Sequence, residues 1–130
     1  MREILFRGKN IDDGHWVYGT PISLRNGETH MNFEFMGWID RAIVIPETVG
    51  QYTGLTDKNG VKIFEGDVVK YSEIDIDGSD LVGLGVISWN QKTACFTISN
   101  GAYHDDFCQT LIEEIEVIGN IYDNPELLKN

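Results

Sequence analysis

A mainly β protein is predicted by three features of the sequence. Ile and Val together number 24, against 11 for Leu and Ala. Branching at Cβ restricts χ1 against a helical turn but packs well on a pleated sheet. Fourteen glycines, several in Asp-Gly and Asn-Gly pairs, cut the 130 residues into short pieces. Many of those pieces alternate apolar and polar residues, the period of a half-buried strand. The expected architecture is short antiparallel strands and hairpins forming one or two small barrel- or sandwich-like sub-modules, with short helical turns near the C-terminus. A β-rich α+β fold is the alternative. At about 150 residues per domain the chain makes one domain. Two β sub-modules are allowed within it, meeting near residues 40–48.

Taken in order, Glu3–Gly8 is a candidate strand, and Asp13-Gly14 a turn. Along His15–Leu24, Trp16, Tyr18, Thr20, Ile22 and Leu24 share one strand face. Pro21 lacks a ladder donor, so this strand is at an edge or bulged there. Asn26-Gly27 is the strongest hairpin signal, leading into a strand over Thr29–Ile39. There Met31, Phe33, Phe35 and Gly37 share a face. Ile43–Leu55 follows as one piece, then the Asp57–Gly60 turn, Val61–Phe64, the Glu65-Gly66-Asp67 turn and Val68–Tyr71. Ser72–Asp80 reads as an acidic surface loop. Leu81–Trp89 and Ala94–Ser99 form a further hairpin. Asp105 or Asp106 opens one or two helical turns near 106–111, followed by a strand over Ile115–Ile121. Asn124-Pro125-Glu126 starts a last helical turn over 124–128, with Asn as cap and Pro at the first helical position.

Composition excludes several functions. The formal charge is −11, the wrong sign for a protein that displaces phosphate counterions. The acid is concentrated late: residues 1–65 carry −2 and residues 66–130 carry −9. No stretch offers the ~20 apolar residues of a membrane span. The N-terminus, Met1-Arg2-Glu3-Ile4-Leu5-Phe6-Arg7, lacks the pattern of a signal peptide. A cytoplasmic location is therefore expected, with Cys95 and Cys108 as reduced thiols.

Few residues suggest chemistry. Glu73, Asp75 and Asp77 followed by Gly78 resemble the start of a calcium loop. Leu84 stands where the closing bidentate Glu belongs, and the flanks read as strands. The better reading is a solvated acidic loop, with Glu73, Asp75, Asp77 and Asp80 as its candidate interaction residues. Weak cation binding stays open there. Cys95, Cys108 and three His lack the close ligand pairs of a zinc site. His104 and Cys108 have nucleophile-pair spacing, but Asp105 and Asp106 would raise the thiol pKa. Gly83-x-Gly85 reads as a strand with small residues rather than a phosphate loop. No catalytic residue, metal or cofactor is expected.

Three blocks carry a resemblance to a known family. They are Phe6-Arg7-Gly8-Lys9 with Trp16-Val17-Tyr18-Gly19, then Glu47–Gly60 continuing through Lys62–Val69, and finally Val117–Leu128. In this order they resemble the YopX-like proteins of phages and prophages. The match is weakest over residues 72–116. The resemblance implies a small phage- or prophage-encoded protein acting in a bacterial host cytoplasm. It implies no catalytic residues.

The leading expectation is a non-enzymatic protein-interaction module. The rival is an acidic modulator that imitates nucleic acid toward a DNA- or RNA-processing enzyme. A homo-oligomer is expected because Trp16, Phe33 and Trp38 exceed what one small core hides; they are the candidate interface aromatics. A protein partner fits the same surface, whereas direct nucleic-acid binding and membrane contact are not expected.

Overall fold

The turn dipeptides and β-branched runs resolve into eleven strands among the described residues. The computed structural model describes residues 2–74, 77–78, 80–100, 103–106 and 115–128. The chain divides into two compact units, Met1–Tyr52 and Thr53–Asn130. The division falls inside a strand, a little beyond the 40–48 segment where two sub-modules were expected to meet. The fold is mainly β, as expected.

The first unit contains β1 (Phe6–Lys9), β2 (Trp16–Ser23), β3 (Thr29–Phe35), β4 (Trp38–Val44), a 3-10 turn over Pro46–Thr48, and the start of β5 (Gly50–Thr56). Its strands lie in the order β4-β3-β2-β1-β5. Each neighbouring pair is antiparallel. Asp13-Gly14 and Asn26-Gly27 make the two expected turns, with both glycines at positive φ. Pro21 falls where β2 has left β1 and pairs only with β3, so its missing N–H costs no ladder bond. Met31, Val44 and Gly8 lie buried between the strands. A Cβ on Gly19 would stand 2.0 Å from the Asn32 carbonyl oxygen. Only glycine lets β2 and β3 approach so closely.

Three expectations for this unit are corrected. The first strand runs Phe6–Lys9 rather than Glu3–Gly8. Thr29–Ile39 is not one strand: Met36 and Gly37, at φ 50° and 84°, turn the chain sharply between β3 and β4. Positive φ at both central residues is the two-residue hairpin turn that matches strand twist. Gly37 was therefore a turn residue, not a member of the Met31–Phe35 face. Ile43–Leu55 is likewise broken by Pro46–Thr48. Thr48 Oγ1 donates to the Ile45 carbonyl and accepts from the Lys9 amide, tying that turn to β1.

β5 continues into the second unit, where it neighbours β6 (Lys62–Phe64). The main sheet there holds β7 (Asp67–Ile74), β8 (Asp80–Asn90), β9 (Cys95–Asn100), β10 (Tyr103–Asp106) and β11 (Glu116–Asn120). Their order is β10-β9-β8-β7-β11. Ile63, Val69, Tyr71, Ile87, Ile98 and Ile115 form the core, with Leu55, Phe96 and Val117 against it. Each aliphatic side chain buried there contributes roughly 1.5–3 kcal/mol of transfer free energy. Gly83 lies opposite Tyr71, and a Cβ there would sit 2.7 Å from the tyrosine ring. The small residues of Gly83-x-Gly85 thus make room for an aromatic. A last 3-10 turn spans Pro125–Leu128.

Two strands of this unit exceed their expected bounds, while β6 and β11 fall just inside theirs. β7 and β8 extend to Ile74 and from Asp80, shortening the Ser72–Asp80 loop. Helical turns over 106–111 are not found at Asp106, which ends β10; residues 107–111 lie outside the described set. Asn124 does precede the last 3-10 turn, but its side-chain oxygen accepts from the Asn120 amide. Asn120 in turn accepts from the Tyr122 and Asp123 amides. The C-terminal turn is therefore held by a pair of asparagines facing each other.

Candidate functional site

The Met36-Gly37 turn creates the most unusual surface of the first unit. β3 pairs with β2 only as far as Asn32. Beyond it, Phe33↔Asp40, Glu34↔Ile39 and Phe35↔Trp38 pair only with each other. This stretch is a two-stranded arm. Residues directly opposite in an antiparallel pair share a face, so Phe33, Phe35, Trp38 and Asp40 lie on one side and Glu34 and Ile39 on the other. The apolar side chains are open to solvent: Phe35 58%, Met36 84%, Trp38 77% and Ile39 77% exposed. Together they make the tip of the arm a contiguous apolar projection.

The arm's edge is partly closed. β4 is the outer strand of its sheet, and Asp40 Oδ1 accepts the Arg41 amide at 2.7 Å. Arg41 Nε also donates to Asn32 Oδ1 at 3.2 Å. Charged groups placed this way discourage continuation of the sheet by a foreign strand.

The three predicted aromatics separate. Phe33 is half-buried at the base of the arm and Trp38 projects from it, on the same face. Trp16 does not join them. It pairs with Lys9 and shares the face of Thr20 and Asn32, opposite to that of Phe33. There the Arg7 guanidinium lies 4.5 Å from its ring centroid and Lys9 Nζ 5.6 Å. Arg7 and Lys9 alternate with Gly8, so strand geometry stacks two cations on one indole. Cation–π contacts of this type contribute about 0.5–2 kcal/mol. Met36 and Ile39 were not anticipated; the signal available was Met-Gly between two aromatics, a turn pattern with apolar flanks.

Of the predicted acidic loop, Glu73 and Asp80 stand near the ends of β7 and β8. Asp77 is exposed in the turn, and Asp75 lies outside the described residues. Among the described residues, no cluster of three or more His, Cys, Asp or Glu is placed to hold a metal ion. Cys95 Sγ lies 3.1 Å from Thr93 Oγ1; Cys108 lies outside the described residues. A shallow cavity of about 440 Å³ opens beside the β8–β9 hairpin, lined by Ser88, Trp89, Asn90, Gln91, Lys92 and Thr97. Its hydroxyls are engaged with each other, Ser88 Oγ to Thr97 Oγ1 at 3.1 Å. No helix among the described residues is long and apolar enough to cross a membrane.

Two ionisable groups hold loops in place. Asp57 is only 6% exposed. Burial works against its charge, yet amide donors from Val117, Val61 and Asn59 outweigh it and hold the carboxyl below its ordinary value. Its Oδ1 serves the β5–β6 turn and its Oδ2 the first half of β11. Glu28, in the Asn26-Gly27 turn, is also lowered, first by the Asn26 side chain and then by His30.

Two antiparallel sheets, an exposed hairpin arm and carboxylates committed to turn amides define a small β protein. The family model for YopX protein matches residues 5–129, and the chain belongs to that family. The crystal structure of protein EF1440 from Enterococcus faecalis is similar in fold. Its TM-score is 0.63 at 24% identity, covering 99% of this chain and 100% of that one. No curated protein matches the chain significantly.

Proposed function

We propose that this YopX-family chain is a non-enzymatic protein-interaction module, phage- or prophage-encoded and working in a bacterial cytoplasm, with the Phe33–Asp40 arm as its contact element. The observation that carries this reading is the exposure of Phe35, Met36, Trp38 and Ile39 on one projection. Burying such side chains contributes about 1.5–3 kcal/mol each, enough for four to drive a specific contact. The formal charge of −11 supports a protein partner over a nucleic acid. The test is affinity capture of tagged protein from phage-infected cells, comparing the natural chain with a Phe35→Glu/Trp38→Glu variant. A bound protein lost with the variant supports the reading. Capture unchanged by the variant refutes the arm as the contact element.

A further inference from the structure

The chain makes one hairpin turn twice, and the two copies differ in what holds their asparagine. In the β2–β3 turn the Leu24 amide donates to the Glu28 carbonyl at 2.8 Å, and the Gly27 amide to the Leu24 carbonyl at 3.1 Å. In the β5–β6 turn the Asp57 amide donates to the Val61 carbonyl at 2.8 Å, and the Gly60 amide to the Asp57 carbonyl at 3.0 Å. Gly27 and Gly60 stand at φ 91° and 82°. Both are turns closed by a glycine bulge, and both place an exposed asparagine, Asn26 or Asn59, directly before that glycine. We propose that Asn59 is a site of spontaneous, one-way modification, converting to aspartate and isoaspartate through a succinimide, while Asn26 is spared.

The step balances without any partner but water. The Gly60 backbone nitrogen, having lost its proton to solvent base, attacks Cγ of Asn59. An N–C bond forms, the bond from Cγ to Nδ2 breaks, and Nδ2 leaves as ammonia after taking a proton from water. Water then opens the ring at either carbonyl, giving aspartate or isoaspartate. Nothing is oxidised or reduced. Glycine suits the step because it brings no Cβ to crowd the ring, and the space where a Cβ would stand on Gly60 is open to 4 Å.

The backbone does not separate the two sites, since each glycine amide must first leave a carbonyl. The side chains do. Asn26 Nδ2 donates to Glu28 Oε1 at 2.8 Å, and Asn26 Oδ1 accepts the Glu28 amide at 3.0 Å. Both bonds must break before Cγ can swing onto the Gly27 nitrogen. In the other turn Asp57 takes the acceptor role: its Oδ1 binds the Asn59 amide at 2.8 Å and the Val61 amide at 2.9 Å. Among the described residues nothing holds the Asn59 side chain. Two hydrogen bonds of ordinary net strength slow the Asn26 step by roughly tenfold or more.

Asp57 also carries the effect beyond the turn. Isoaspartate routes the backbone through the side chain and lengthens it between the Asn59 and Val61 amides, which Asp57 Oδ1 binds together. The other oxygen of that carboxylate accepts the Val117 amide at 2.9 Å. A longer turn therefore loosens the hold on β11.

Storage of the full chain in warm, mildly alkaline buffer, then cleavage after glutamate and mass spectrometry, reads each site in its own fragment. Residues 48–65 contain Asn59 as their one asparagine, residues 4–28 contain Asn26, and Asn100, the remaining asparagine before a glycine, falls in a third fragment. The acid mass should grow roughly tenfold faster at Asn59 than at Asn26, and an isoaspartyl methyltransferase should label the 48–65 fragment. Asn26 converting as fast as Asn59 overturns the proposal. So does an Asn59 that stays an amide in the folded chain after a urea-denatured sample has converted. Glu28→Ala removes the bond to Asn26 Nδ2 and should speed conversion there; an unchanged rate refutes the protection. Aged natural protein should unfold at lower urea than equally aged Asn59→Gln, and equal midpoints refute the loosening of β11.

Discussion

Replacing Asp57 by Ala should unlatch β11 from the β5–β6 turn. The carboxylate is 6% exposed and accepts three amides: Asn59 at 2.8 Å, Val61 at 2.9 Å and Val117 at 2.9 Å. The last bond spans 60 positions of sequence, so it joins a local turn to a distant strand. Each amide left unsatisfied in a buried setting costs about 1–3 kcal/mol. Some relaxation and water entry will recover part of that, and the expected loss is about 3 kcal/mol. Asp57→Asn should cost less, about 1–2 kcal/mol, because the amide oxygen still serves one side while its NH₂ faces a donor on the other. Urea unfolding followed through the fluorescence of Trp89, which lies in the same unit, reads the difference. The same group predicts a pH dependence. Asp57 titrates in the folded state below its ordinary 3.8, so the unfolded chain binds the proton more readily. Its contribution is complete above about pH 4 and is lost as pH falls through the depressed folded value. The Asp57→Asn variant should lack that part of the acid sensitivity. A loss below about 1 kcal/mol for Asp57→Ala would refute the latch, as would an acid profile identical in the natural chain and Asp57→Asn.

Other expectations follow from single contacts. Gly19→Ala forces a Cβ to 2.0 Å from the Asn32 carbonyl; backbone on both sides must move, and a loss of about 3 kcal/mol or more is expected in thermal unfolding. Gly66→Ala combines φ +87° with a contact of 3.0 Å to the Tyr122 ring, and should cost roughly 1–2 kcal/mol by the same assay. Asn26→Ala removes the main hydrogen bond on Glu28, so its carboxyl, followed by NMR titration, should move back toward 4.5. Duplex DNA should show no gel shift at physiological salt, since the cations of a −11 chain are scattered from Arg2 to Lys129.

The sequence by itself determined the fold class and most of the turns. Asn26-Gly27, Asp57–Gly60 and Glu65-Gly66 turn because their residues accept positive φ or bond their own amides, and both causes are local. The Ile/Val excess set the β content for the same reason: χ1 restriction acts within a residue. The arm was half legible. Phe33 and Trp38 were visible as surplus aromatics, but Gly37 read as a member of the strand face with Met31, Phe33 and Phe35. Only the pairing Phe35↔Trp38 settles it, and pairing is a property of two strands. Trp16 shows the limit most clearly. Its alternation with Tyr18, Thr20 and Ile22 gives a face, yet alternation cannot say which face is inside. In the structure Tyr18, Thr20 and Ile22 of that face are exposed, whereas Trp16 is half-buried beside Arg7 and Lys9 from the neighbouring strand. Asp57 was legible as a turn residue and not as a latch, since its third amide comes from Val117, 60 residues away. Period and turn chemistry are encoded in neighbours; burial, pairing and reach depend on which distant segments meet.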